Sequence, residues 1–184
     1  MLSYTNLCTL VGQGIMTPVK PENINASSID VHLGPTIIFE QAPPEGSAHH
    51  TAFADPAARV GFPSQKHNLE TDGDYMLMPG EFVLAQTAET FNLPLDISAE
   101  FRLKSSGARC GLNNLFACHC DAGWHGSVLT LELHNTLRYT PIRLSLGMPV
   151  GQMIFHRHKA VPRKDSYAQR GRYNGDRQAQ SIKE

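Results

Sequence analysis

A chain of 184 residues suits one domain and leaves little room for two. With 41% apolar residues and 15 glycines it can fill a single core, which excludes disorder as the whole account. Sixteen basic against 17 acidic residues give a formal net charge of −1, and outside the C-terminal tail there is none of the clustered basic excess that nucleic-acid binding needs.

No stretch approaches the ~20 apolar residues of a membrane span. The start, MLSYTNLCTLVGQG, lacks the basic region, long apolar run and cleavage site of a secretory signal. Four cysteines (Cys8, Cys110, Cys118, Cys120) in a chain this long do not suggest a disulfide framework, so a reduced, cytoplasmic setting is expected.

Residues 3–13 are the best helix candidate, with Ser3 placed to cap the first turn. Leu7, Leu10 and Val11 would share one face, and Gly12 and Gly14 supply the stop. Short runs of two-residue alternation follow: Ile29–Leu33, Phe82–Leu84, Leu129–Leu133, Ile142–Leu146 and Met153–Phe155. Turn signals such as Gly34-Pro35, Pro79-Gly80 and Asn174-Gly175 separate them. The pattern predicts an all-β sandwich or barrel with one short N-terminal helix. Residues 41–68 read as loop. The tail from about Pro162 reads either as a frayed end or, with Tyr167 and Tyr173 among arginines, as an arm that folds over a phosphorylated ligand.

Alternation along Ser127–Asn135 aims Leu129, Leu131 and Leu133 into a core, and Val128, Thr130, Glu132 and His134 to the other face. Glu132 is then either a solvated glutamate on an edge strand or a carboxylate in a pocket wall, with its pKa raised by partial burial. Upstream, Lys104-Ser105-Ser106-Gly107-Ala108-Arg109 gathers hydroxyls, backbone amides and a guanidinium that suit an anion. Asp121-Ala122-Gly123-Trp124-His125-Gly126 is a tight turn with the only tryptophan. Cys110, Cys118, His119, Cys120 and His125 carry the right atoms for zinc. The His-x-Glu and Pro-Cys-x-x-Cys elements of the zinc base deaminases are missing, so buried core thiols are expected instead. No phosphate-cradling Gly-rich loop of the ATPase or dinucleotide type occurs.

Taken in order, Ser27–Gly34, Pro79–Phe82, Lys104–Arg109, Asp121–Gly126, Leu131–Asn135 and Gly147–Gln152 resemble the motif series of the dCTP deaminases, in the trimeric dUTPase superfamily. The resemblance reaches from the first helix to Arg172-Tyr173, and residues 163–184 correspond to a C-terminal arm that closes over the active site. It implies a distorted β-barrel or jelly-roll subunit, a homotrimer with sites between subunits, and deamination of dCTP to dUTP in the cytoplasm of a bacterial or phage-infected cell. It implies no zinc, with Mg²⁺ carried on the triphosphate. By resemblance Glu132 is the catalytic glutamate, with Ser105 and Arg109 beside the pyrimidine and the attacking water. Ala117 offers a carbonyl to the base or water, His119 stands where an arginine or aromatic is usual, and Asp121 lies near the sugar. Tyr167, Arg172 and Tyr173 match the closing tail. Lys104, Ser106, Trp124 and Gln152 join the substrate-binding positions, and Gln178 or Gln180 replaces a late glutamine whose place is taken by Asp176.

One glutamate poised near neutrality can act in turn as the base that takes protons from the water attacking C4 and as the acid that protonates N3 and then the departing amine, work worth ~10²–10⁴-fold. A plain dUTPase needs no carboxylate at Glu132, so its presence favours deamination. A bifunctional enzyme that carries dCTP through to dUMP and diphosphate stays open, because Asp121 is also present. An inactive nucleotide-binding regulator is the remoter alternative. Against the family pattern the chain is a residue short between Arg109 and Asp121 and a residue long between Gly126 and Glu132, a change that a β-bulge near Glu132 would absorb.

Overall fold

The structure, a computed structural model, describes residues 1–115, 117 and 119–183. Helix α1 (Tyr4–Gly12) leads into β1 (Met16–Thr17), β2 (Ile29–His32), β3 (Thr36–Glu40), β4 (Ser64–Asn68), β5 (Tyr75–Leu77), β6 (Phe82–Asn92) and β7 (Ile97–Leu103). Helix α2 (Ser105–Arg109), β8 (Leu112–Asn114), β9 (His119–Cys120), β10 (His125–Asn135), β11 (Ile142–Leu144), β12 (Pro149–Arg157) and α3 (Tyr167–Arg170) complete the chain. It is mostly β, as the alternation predicts. None of the described helices is long and apolar enough to cross a membrane.

Helix α1 buries Leu7 and Leu10, two of the three positions its spacing selects, while Val11 is partly buried against the core. Ser3 stands at the N-cap without a capping bond, and its hydroxyl donates instead to Asn6 Oδ1 at 3.2 Å. Gly14, at φ +78°, takes the left-handed turn that ends the helix.

The larger sheet runs β4-β3-β6-β10-β8, with β1 also on β6, and the second runs β2-β12-β7-β9; all pairings are antiparallel. The core lies between them. Ile29 and Val31 of β2, Ile97, Ala99 and Phe101 of β7, and Met153 and Phe155 of β12 meet Ile37, Val83, Ala85, Leu131 and Leu133 of the larger sheet. Strand β4 went unforeseen because Ser-Gln-Lys-His-Asn has no apolar alternation; it is an exposed edge strand held by its pairing with β3. Leu146, expected to continue β11, lies beyond that strand's end and is exposed, next to the φ +73° turn at Gly147.

The β10–β6 register breaks between His125 and Ser127 and between Val128 and Thr130, then runs regularly from Thr130 to His134. The bulge therefore falls upstream of Glu132, which sits within an ordered ladder. Beside the bulge Leu129, expected in the core row, is only partly buried: it packs against the core and also lines a cavity.

Gly151 shows why the Gly147–Gln152 motif carries a glycine inside a strand. A Cβ there would lie 2.2 Å from the Phe101 ring and 2.8 Å from the Arg102 carbonyl. Gly151→Ala should therefore cost about 1–3 kcal/mol by overpacking. At ~2–4 °C per kcal/mol for a chain of this size, thermal melting should show the loss, and an unshifted melting temperature would contradict this packing.

Candidate active site

Along β10, Thr130, Glu132 and His134 stand directly opposite Gln86, Leu84 and Phe82 of β6, and opposed side chains share a face. That face is turned away from the main core. Strand β9 of the second sheet borders it, and residues 54–62 and the C-terminal tail lie over it. Together they make a second apolar cluster, in which Ile38, Leu84 and Ala179 are buried and Phe62 and Phe82 pack against them. Beside this cluster a cavity of about 490 Å³ opens on Glu132, within the usual range for small-molecule sites.

Glu132 is half-buried, and its Oε2 is buried with no hydrogen-bond partner among the described residues. Burial pushes its carboxyl up to about 7, and a bond to its own backbone pulls more weakly the other way. The group is thus close to half-ionised at neutral pH. Of the two sequence readings, the pocket wall is the one found. Ala117, His119, Asp121 and Trp124 line the same cavity. His119 Nε2 lies 3.3 Å from Asp121 Oδ1, both side chains being largely exposed. Trp124 stacks on Phe91 at 5.4 Å, and its Nε1 donates to the Tyr173 carbonyl at 2.7 Å.

The tail is docked, not frayed. The fully buried Ser127 donates its hydroxyl to the Tyr173 carbonyl at 2.9 Å and accepts the Asp176 amide at 3.3 Å, while the Val128 amide donates to the Asp176 carbonyl. The Ala179 amide donates to Gln86 Oε1, and Lys183 Nζ pairs with the Asp176 carboxylate and lies over the Tyr173 ring. Tyr167, Tyr173, Asp176 and Gln180 thereby line the cavity. Burial raises the Tyr167 phenol.

Other expected site residues lie elsewhere. Ser105, Ser106 and Arg109 are exposed on α2 and do not line the cavity. Lys104 Nζ pairs with Asp30, and Gln152 Oε1 accepts the Ser28 hydroxyl at 2.8 Å, both on the second sheet. Arg172 and Gln178 are exposed outside the cavity, so Gln180 is the tail glutamine that faces it. Of the thiols expected in the core, Cys120 is buried but Cys110, at the end of α2, is exposed, and Cys118 lies outside the described residues. Among the described residues no three His, Cys, Asp or Glu side chains gather as a metal site.

The sequence reading missed Val60 and Phe62, which come from the segment read as plain loop. The available signal was a pair of apolar residues just before β4. Leu84 was legible as a strand residue but not as a wall of the site.

The dCTP deaminase-like family model matches residues 1–158. A protein of Methanosphaerula palustris named "dCTP deaminase, dUMP-forming" is 31% identical over 91% of this chain and 86% of its own length. Proteins of the same name from Nocardioides sp. and Beutenbergia cavernae are 37% and 34% identical, over 90% and 96% of this chain and 84% and 91% of theirs. The fold matches the crystal structure of a 2'-deoxycytidine 5'-triphosphate deaminase from Agrobacterium tumefaciens with a TM-score of 0.61 at 20% identity, covering 84% of this chain and 47% of that one. With a mostly β fold and a family match that takes in both sheets and the strand bearing Glu132, the chain belongs to the dCTP deaminase-like family.

Proposed function

We propose that this enzyme deaminates dCTP by hydrolysis and carries the product on to dUMP and diphosphate. The observation that carries the deamination is Glu132: one carboxyl, near half-ionised at neutral pH, with an oxygen that has no partner among the described residues, in a cavity of nucleoside size. Ionised, it takes a proton from the water attacking C4. Protonated, it gives that proton to N3; it then takes a second proton from the new C4 hydroxyl and gives it to the amine, which leaves as ammonia. The partly apolar cavity keeps this exchange out of bulk water, where the carboxyl would stay ionised.

The second step departs from the expectation that dUTP is the end product. The relatives' shared name, dUMP-forming, favours it. So does Asp121, an exposed carboxylate on the cavity lining that can orient a water toward the phosphate chain. The substrate is read as the Mg²⁺ complex of the nucleotide, the ion riding on the triphosphate, in a cytoplasmic setting. Ser105 and Arg109 stand exposed on α2, away from Glu132, which supports a homotrimer in which α2 of one copy completes the cavity of another. There Arg109 would orient the water and hold the Glu132 carboxylate.

Glu132→Gln should retain dCTP binding and lower turnover at least ~10³-fold, because it removes the proton carrier. Near-normal ammonia release by that variant would refute the role. The same variant tests the burial. A carboxyl raised from 4.5 to about 7 in the folded state stabilises the fold at low pH and loses that contribution as pH rises through the folded value. The melting-temperature difference between Glu132→Gln and the parent should thus shift in favour of the variant from about pH 5 to pH 8, by up to about 3 kcal/mol. A pH-independent difference would deny the raised pKa. Finally, protein dialysed against a chelator and resupplied with Mg²⁺ alone should convert dCTP to equimolar ammonia and dUMP. Accumulation of dUTP to match the ammonia would reduce the enzyme to a simple deaminase.

A further inference from the structure

The cavity presents Glu132 with two unlike flanks. Toward β9 the lining carries His119 and Asp121, which are polar and exposed. Toward β6 it is apolar: Leu84 stands directly opposite Glu132, Phe82 stands one pair further along the same face, and Phe62 packs edge-on against Phe82 with ring centroids 5.9 Å apart. Opposed residues have Cβ atoms roughly 4.5–5.5 Å apart, so a ring atom held beside the Glu132 carboxyl is within van der Waals reach of Leu84.

A cytosine that offers N3 and C4 to Glu132 has two edges left to place. The amino group and the attacking water need polar partners, since burying them unpaired is costly. The C5 edge carries only a C–H and needs none. The favourable orientation turns the amine toward the polar flank and C5 toward Leu84 and Phe82.

We propose, on the deaminase reading given above, that the Leu84–Phe82–Phe62 wall is a subsite for an apolar substituent on C5, and that 5-methyl-dCTP is a substrate of this enzyme. The chemistry is unchanged by the methyl group. The water oxygen bonds to C4 as Glu132 carries one water proton to N3; Glu132 then carries the remaining hydroxyl proton to the amine, the C4–N bond breaks, and ammonia leaves together with the 5-methyluracil, or thymine, deoxynucleotide. Such a site would feed thymine nucleotide formation directly from a methylated cytosine nucleotide, with no later methylation of the ring.

The test compares kcat/KM for 5-methyl-dCTP and dCTP with the full chain, reading ammonia and the separated nucleotide products. A fitted apolar pocket discriminates by a single methylene by roughly 10–200-fold. 5-Methyl-dCTP is therefore expected to match dCTP or exceed it by up to about 10-fold. Phe62→Ser, at a partly buried loop position, should lower the 5-methyl-dCTP to dCTP ratio about 10-fold. Turnover of dCTP with rejection of 5-methyl-dCTP by more than about 100-fold would overturn the subsite and leave the deaminase reading intact. An unchanged ratio in Phe62→Ser would overturn the assignment of the wall. Failure to deaminate either nucleotide would instead remove the deaminase reading itself, and the subsite with it.

Discussion

The site depends on the partial dehydration of one carboxyl group. Glu132 lies mid-strand between Leu131 and Leu133, which enter the core, so its own side chain must leave by the opposite face. Left open, that face would be wet and the carboxyl would titrate near 4.5, fully ionised at neutral pH and useless as an acid. Two peripheral pieces of chain, residues 54–62 and the tail from Tyr167, lie over it and bring an apolar cluster up to its flank. Apart from Tyr167, which packs against the main core, those segments belong to the second, smaller cluster. Their evident physical effect is on the proton affinity of Glu132.

The turn before β10 ties the same pieces together. Gly123, at φ +88°, lies against the tail, and a Cβ there would sit 3.0 Å from Ser166. Trp124 fills the gap between the core and the cavity, stacking on Phe91 while its Nε1 holds the Tyr173 carbonyl. Ser127, buried at the first register break of β10, bonds to both Tyr173 and Asp176. One stretch of chain therefore carries the carboxylate, seats the tail and, through Trp124, joins both to the core. Because most of these contacts engage backbone groups of the tail, tail side chains such as Tyr173 and Gln180 are left to face the cavity.

This division explains what the sequence disclosed. Core strands such as Ile29–Val31 and Met153–Phe155 were legible because one buried face forces alternation, although β7, buried in the same way, was not singled out. Glu132 was legible because the alternation sets a carboxylate mid-strand on the face opposite the leucines, where it must be solvated or sit in a pocket. Strand β4 was not, since an exposed edge strand is held by backbone pairing and imposes no apolar period. The covering role of Phe62 was hidden as well, because a loop residue that packs on a distant strand leaves no local period. Docking of the tail rests on main-chain bonds, to which composition is blind. The bulge was foreshadowed by a length change, but only the register shows it lying upstream of Glu132, where the Thr87 hydroxyl accepts the Leu129 amide.

Within one chain the chemistry is left with complementary deficits. Glu132 Oε2 is a buried acceptor without a donor among the described residues, and an unmet buried oxygen of this kind costs free energy. Arg109 has a guanidinium with no ion pair among the described residues, exposed on a helix too short to bury any residue of its own. The two cannot meet here, because α2 packs against β8 at the edge of the larger sheet and the cavity is lined without it. In the proposed trimer a second copy would lay its α2 across the cavity mouth, setting the Arg109 donor toward the Glu132 acceptor and the attacking water. In the proposed trimer, assembly is therefore more than a matter of stability. It would supply the cation that stabilises the ionised form of Glu132, and so would help a single residue pass between its two protonation states during one turnover.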